Sequence, residues 1–462
     1  MNSSSRHRLR AALLLVCLCI AAGMCQYVED SVDVGGAWVG SLVYNSREDV
    51  IYGESESQGI LFAISCDDNG IIATHQLMGA LELVYDSADN KAWCSYDGPE
   101  QESLAVIDGS THSIVKRIEM PGATIPVWDA VSDRVYVSCQ TTNKVAVVDC
   151  ATDSLLMYIS VGACPMKMYI NTLRRKLYVL NYADGTVSIV NMATNQVIKT
   201  VFVGGTPNAG YYSRSADKFY SAGSQRQCVI IGGQTDTIVA RITLPGIDYV
   251  LSATGNEDAG LVYLGTFTGS DDYVATVSAQ TDPVLVTTKT GGEPWGLACF
   301  VPSGLVYSAS SASNEVYVLT GDGARILRIL SVGSYPFVFV DVPRHRRLYL
   351  GHLGMPYVYV LGDTSAGVAD TRLPQFGFCG GISVAPNPFT QSVTVVWNSS
   401  LKGDGVARVY AQDGRLVRQA RIPAGEARWV WDGRDNSDAA VPPGVYVLET
   451  GSGVRAKVVK LK

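Results

Sequence analysis

The stretch from Lys176 to Pro207, KLYVLNYADGTVSIVNMATNQVIKTVFVGGTP, decides how the rest of the chain reads. Leu177-Tyr178-Val179-Leu180 sends alternate bulky side chains to opposite faces, and Val187-Ser188-Ile189-Val190 does the same after the turn signal Asp184-Gly185. Beyond a second turn at Ala193-Thr194-Asn195, residues 197–203 are rich in β-branched side chains, which suit a pleated surface packed on its faces. These features predict three strands in a meander, closed by Gly204 and Gly205.

Working outward, the closing glycine recurs as Gly36, Gly79, Gly122, Gly162, Gly204, Gly246, Gly291 and Gly333, at intervals of 40 to 45 residues. An aromatic in the second strand recurs with it: Tyr52, Trp93, Tyr136, Tyr178, Tyr220, Tyr263, Tyr307 and Tyr349. A fixed period of this length means a repeat architecture, and four-stranded units arranged radially are the blades of a β-propeller. The expectation is an all-β chain with eight blades; the alternative is seven with one aberrant copy. Val32-Asp33-Val34-Gly35-Gly36 resembles the last strand of a unit lacking its first three, and the final unit, residues 337–361, lacks a clear fourth. Pairing the two would close the ring without an open edge.

Leu177-Tyr178-Val179, Val187-Ser188-Ile189-Val190-Asn191, Ala193-Thr194-Asn195 and Val203-Gly204-Gly205-Thr206-Pro207 resemble the YVTN-type propeller repeat, a WD40-like unit. The resemblance spans residues 26–362. It implies architecture more than activity, because such rings include surface-layer and binding proteins, lactonases and carriers of redox cofactors.

Arg6, Arg8 and Arg10 precede an apolar run from Ala11 to Ala22, the layout of a secretory signal over residues 1–25. That run is too short to span a bilayer, and no other segment reads as transmembrane. The formal net charge is −7, which becomes −10 without the signal. The last 81 residues carry +4, so the ring together with its linker carries −14. That sign argues against nucleic-acid binding, which needs clustered Lys and Arg against phosphates. The eight cysteines beyond the signal share no register and form no CxxC pair, so they read as buried apolar fillers.

No GxSxG, P-loop or His-rich ligand spacing occurs, so no metal site and no catalytic residue is assigned. Arg344, Arg346 and Arg347 around His345 predict a solvated turn. In a propeller the loops entering the innermost strands converge on the channel mouth, and here they follow each closing glycine. They carry Trp38, Glu82, Met166 and Lys167, Asn208, Asp248 and Tyr249, Glu293 and Trp295, Tyr335 and Phe337. From these, Trp38, Asp248, Tyr249, Glu293, Trp295 and Tyr335 are the ligand-binding candidates, because aromatics stack on sugars or planar ligands while carboxylates accept their hydroxyls. The competing expectation is that the bulky residues plug a narrow ring. No cofactor is predicted; calcium is the one ion the acidic turns Asp67–Gly70 and Asp432–Asp438 admit, although Asp, Asn and Gly also make ordinary tight turns.

The repeat signal ends at Gly362, and residues 363–381 form a Gly- and Pro-containing linker. Residues 382–462 show alternating strands at Ser392–Trp397, Val406–Tyr410, Arg428–Trp431 and Gly444–Leu448, the pattern of a small β-sandwich. Pro386, Asn387 and Pro388, then Gly414, Trp431-Asp432-Gly433, Gly444 with Tyr446, and Lys457 with Lys460 resemble the type IX secretion sorting domain and its flagellar-hook-cap-like immunoglobulin relatives. The resemblance implies an immunoglobulin-like fold, partnership with the secretion machinery, and attachment at the outer surface of a Gram-negative-type bacterium. The expected function is therefore an exported, non-catalytic propeller that binds a protein or glycan partner. The alternative is a lactonase-type hydrolase using metal-binding carboxylates at the mouth.

Overall fold

The computed structural model describes residues 26–98, 102–224, 226–244, 248–269, 272–364, 382–385, 392–397, 405–411, 415–423, 428–450 and 455–460. The chain divides into two compact units, residues 1–368 and 369–462.

In the first unit, the opening stretch forms strands Lys176–Asn181, Thr186–Asn191 and Gln196–Phe202, preceded by Pro165–Asn171, and the four pair in chain order. Gly185 and Asn195 take the left-handed conformation that their tight turns require, at φ 62° and 55°. Seven such sheets follow one another: sheet 1 over residues 42–76, sheet 2 over 80–119, sheet 3 over 123–160, sheet 4 over 165–202, sheet 5 over 207–243, sheet 6 over 249–289 and sheet 7 over 294–331. Sheet 8 takes three strands from residues 336–363 and its outermost from Gln26–Asp33. That strand runs antiparallel to Tyr357–Asp363, from Tyr27 opposite Gly362 to Asp33 opposite Tyr357. It starts earlier than the sequence pattern suggests, and Val34–Gly36 lie beyond the pairing.

The first strand of each sheet packs beside that of the next, and Pro336–Val342 returns to Leu42–Asn45, so the sheets close a ring. Each junction has its own apolar core. Tyr178, Leu180, Ile189 and Val201 of sheet 4 meet Phe219, Val229 and Ile231 of sheet 5, with the Tyr178 and Phe219 rings stacked at 4.4 Å. At the closing junction Val32, Val342, Tyr349 and Val360 meet Leu42, Ile51, Phe62 and Ile64. Burying both faces of a sheet leaves near-continuous apolar strands, which is why the second and third strands are buried almost throughout.

The recurring aromatic of the second strand is the staple between neighbours. Tyr52 donates to Gly109 O at 3.2 Å, Tyr136 to Asn195 Oδ1 at 2.9 Å, Tyr220 to Ala279 O at 3.3 Å and Tyr307 to Asp363 Oδ2 at 2.8 Å, each on the following sheet. Tyr349 closes the ring in the same way, donating to Asn69 Oδ1 of sheet 1 at 2.7 Å. Sheet 2 carries Trp93 instead, whose buried Nε1 has no hydrogen-bond partner, and on sheet 4 the Tyr178 hydroxyl accepts from Asn171 Nδ2 of its own sheet at 3.2 Å.

The second unit places Ile382–Ala385, Val393–Trp397 and Arg428–Trp431 in one sheet, and Leu416–Ile422, Gly405–Ala411, Gly444–Thr450 and Arg455–Lys460 in another. Val393, Val395 and Trp431 from the first pack on Val409, Tyr446, Leu448 and Val458 from the second, making a two-sheet sandwich.

Candidate functional site

In a meander of this connectivity, the loops from one sheet to the next and the hairpins between second and third strands share one face of the ring. Trp38, Asp248, Glu293 and Tyr335 lie in those loops, and Tyr249 and Trp295 are the first and second residues of the inner strands they lead into. The residue immediately before the first strand of sheets 2 to 8 is Gly79, Gly122, Cys164, Thr206, Asp248, Glu293 or Tyr335, and on sheet 1 Trp38 lies four residues ahead of Leu42. Six of these eight positions hold left-handed backbone: Trp38 at φ 66°, Gly79 at 71°, Gly122 at 80°, Cys164 at 56°, Glu293 at 58° and Tyr335 at 52°. Glycine takes that conformation freely, whereas bulky residues carry strain of about 1 kcal/mol or more.

The glycines sit on sheets 2 and 3, while Trp38, Glu293 and Tyr335 sit on the three consecutive sheets 1, 7 and 8. The side chains therefore gather on one arc. Trp38 and Tyr335 are each 53% exposed and Trp295 is 38% exposed, so these three side chains are not packed into the core. Their backbones are fixed instead. Leu353 N donates to Tyr335 O at 2.9 Å, and Trp38 N donates to Leu353 O at 3.2 Å, so one residue ties the two aromatic loops together. Tyr335 N donates to Asn314 Oδ1 at 3.0 Å, and Glu293 N to Asp272 Oδ2 at 2.6 Å. Trp295 lies 5.7 Å from the Phe337 ring centroid, and its Nε1 donates to Glu293 Oε2 over a long 3.4 Å.

The other two candidates lie apart, at the junction of sheets 5 and 6. Asp248 is exposed and accepts from Arg226 Nη2 at 2.8 Å. The Tyr249 hydroxyl meets Thr206 Oγ1 at 2.9 Å, and burial raises its pKa. The six candidates thus divide into an aromatic arc with Glu293 and a polar cluster around Asp248. Neither carboxylate belongs to a group of three donors close enough to share a metal ion among the described residues.

Below the mouth lie further charges, of which Glu82 and Lys167 stand out in the sequence and Glu54, on the second strand of sheet 1, does not. Glu54, 1% exposed, accepts from Gly40 N at 2.9 Å and Ser41 N at 3.0 Å, serving the irregular entry of the chain into sheet 1. Burial pushes its pKa up to about 9. Ser95 and Ser138 do the same work on sheets 2 and 3, accepting from Glu82 N at 3.3 Å and Ile125 N at 3.1 Å. No sequence signal marks Glu54, because its partners Gly40 and Ser41 meet it only once the chain folds into sheet 1. Glu82 and Lys167 keep partial solvent contact although protein surrounds them. Burial raises the Glu82 pKa and lowers that of Lys167, outweighing their mutual attraction.

The acidic turns are closed by their own backbones. Asp68 Oδ1 accepts from Gly70 N at 3.1 Å, and Asp435 Oδ1 from Ser437 N at 2.9 Å and Ala439 N at 3.0 Å. His345 is not in a solvated turn: its Nε2 meets Asp49 Oδ2 at 2.6 Å across the closing junction, because the ring brings the last sheet's turn against sheet 1. A cavity of about 460 Å³ opens at this seam, lined by Asp33, Val34, Gly35, Ile60, Ile71 and His75 among others, and includes none of the six predicted mouth residues.

In the second unit, Trp431 is buried, donates to Arg434 O at 2.8 Å and packs edge-on against Tyr446 at 5.2 Å. Lys460 Nζ donates to Val441 O at 2.6 Å and Gly433 O at 3.2 Å, and the Tyr446 hydroxyl to Pro442 O at 2.6 Å. Gly433 is left-handed at φ 70°, and Asp432 Oδ1 accepts from Arg434 N at 3.1 Å. Gly444 opens the strand that carries Tyr446. These motif residues are thus part of the sandwich's own framework. Pro386, Asn387, Pro388 and Gly414 lie outside the described residues, as does the Lys457 side chain.

Radially arranged four-stranded sheets closed by a strand from the other chain end define a β-propeller. The chain is similar to the solved structure of dihydro-heme d1 dehydrogenase NirN in complex with DHE, with a TM-score of 0.57 at 12% identity, covering 64% of this chain and 67% of that one. Identity this low supports the fold alone. No protein-family model and no curated protein matches the sequence.

Proposed function

We propose that this chain is an exported, non-catalytic propeller of the YVTN type that binds a carbohydrate or protein partner at its mouth, with residues 1–25 acting as the export signal and the C-terminal sandwich as a sorting domain at the cell surface. The single observation that carries the binding role is the one-sided arc of Trp38, Trp295 and Tyr335. Trp38 and Tyr335 stay exposed on hydrogen-bonded loops, on left-handed backbone where glycine would relieve strain, and Trp295 stays exposed at the start of an inner strand. A packing role would have buried them. Strained, exposed aromatics with a carboxylate beside them suit the faces and hydroxyls of sugar rings better than an apolar ligand. The hydrolase reading asks for carboxylates converging on a metal, and Asp248 is instead paired with Arg226 while Glu293 stands with Trp295.

Titration calorimetry with surface oligosaccharides and with cell-surface protein extracts tests the site. Trp295→Ala and Tyr335→Ala are expected to weaken binding by about 2 kcal/mol each, as aromatic anchors do, without lowering the melting temperature. Binding that survives both substitutions, or that follows Asp248→Asn alone, would move the site off the arc.

A further inference from the structure

On the face opposite the mouth, the residue ending the first strand of one sheet meets the turn residue ahead of the second strand in the next. Asn45 Nδ2 donates to Asn90 Oδ1 at 3.0 Å, Arg175 pairs with Asp129 at 2.6 Å, and Asn171 Nδ2 reaches Asp217 Oδ1 at 3.5 Å. In each pair a donor faces an acceptor. Between sheets 2 and 3 the corresponding residues are Asp86 and Asp133, two carboxylates, and their oxygens lie within 4.8 Å of each other and of Cys150 Sγ.

The surroundings hold these groups without neutralising them. Asp86 is 0% exposed, and its Oδ1 accepts from Ala88 N at 2.8 Å and Asp89 N at 3.1 Å, while Oδ2 has no hydrogen-bond partner. Asp133 is anchored through Oδ1 by Trp128 Nε1 at 3.1 Å. Lys91, the nearby cation, is committed to Cys150 O at 2.6 Å and Asp153 at 2.7 Å. A buried, unpartnered carboxylate oxygen facing a second carboxylate and a thiol lacks a positive charge.

We infer that the junction of sheets 2 and 3 is a binding site for a zinc-class divalent cation, ligated by Asp86, Asp133 and Cys150. A carboxylate–thiolate donor set suits a borderline-soft ion rather than calcium, which takes oxygen ligands alone. Bonds of about 2.0 to 2.3 Å put donors on one zinc roughly 3.3 to 3.7 Å apart, so donors that lie within 4.8 Å of one another need to draw in by no more than about 1 to 1.5 Å. Binding releases the Cys150 thiol proton to solvent. The other three-donor group, Asp49, Asp67 and His345, is different: Asp49 already accepts from the Tyr44 hydroxyl and from His345, both at 2.6 Å.

The full chain, stripped with chelator and reloaded with Zn²⁺ or Co²⁺, provides the test. Expected are about one retained equivalent of metal, a thiolate-to-cobalt charge-transfer band, and a melting temperature raised by Zn²⁺. Cys150→Ser should abolish the band, and Cys66→Ser should keep it. If Cys150→Ser fails to fold, Asp133→Asn serves in its place, and its melting temperature should no longer respond to Zn²⁺. A band that persists in Cys150→Ser, a Zn²⁺ response that persists in Asp133→Asn, or wild-type protein that neither retains metal nor melts higher with it would overturn the inference.

Discussion

Glu54→Gln isolates the energetic role of the buried carboxyl at the ring's entry. In the native ring burial holds the Glu54 pKa at about 9, whereas the ordinary value is 4.5. Between those values the unfolded chain has lost a proton that the folded chain keeps, so stability falls as pH rises, by about 1.4 kcal/mol per pH unit for this one group. From pH 5 to pH 8 that amounts to roughly 4 kcal/mol. The full benefit of the protonated form is present below the unfolded value and is lost as pH approaches 9. Glutamine keeps the oxygen that accepts from Gly40 N and Ser41 N and cannot ionise, so it should match wild type near pH 5 and exceed it by about 3 kcal/mol or more at pH 8. Urea unfolding of both proteins at pH 5, 6.5 and 8 gives the comparison. The other raised carboxyls, Glu82, Asp86 and Asp341, are common to both and cancel in the difference. Parallel pH profiles for the two proteins would refute the reasoning, because Glu54 would then ionise alike in folded and unfolded chains.

Tyr349→Phe removes the hydroxyl that donates to Asn69 across the closing junction and should lower stability by about 1–2 kcal/mol, read as a shifted denaturant midpoint; an unchanged midpoint would remove the staple from the account of closure. Arg175→Met strands the Asp129 carboxylate, 2% exposed, and should cost about 3 kcal/mol at pH 7 in the same assay. Burial alone would raise the Asp129 pKa, but hydrogen bonds from Arg175 and Ser132 reverse that and hold it below the usual value. The loss should therefore be full above the ordinary carboxylate range and shrink on acidification below it; a loss that does not change with pH would point to lost packing rather than lost charge.

How much was legible before folding follows from how local each signal is. Leu177 to Val203 carries its own alternation and turns, and the period of 40 to 45 residues with a buried aromatic in each copy implies stacked sheets, because no such unit buries its faces alone. Even the ring's closure was readable, since one end had a strand to spare and the other lacked one. The sandwich strands around Trp431 and Tyr446 were equally plain from alternation. Other features depend on which copies become neighbours. Trp38 and Tyr335 are about 300 residues apart in sequence yet share Leu353 as a backbone partner, so the one-sided aromatic arc exists only once the ring has closed. Pattern counts treat an exposed aromatic and a core aromatic alike, which is why plugging was a reasonable expectation. Asp86 and Asp133 are each ordinary turn residues in their own units, and only the packing of sheet 2 on sheet 3 sets them face to face above Cys150. The chain's local periodicity determined the strands, the repeat and the ring. The tertiary structure decided which charges lost their solvent and which side chains kept it, because desolvation depends on neighbours that the repeat brings together from distant parts of the sequence.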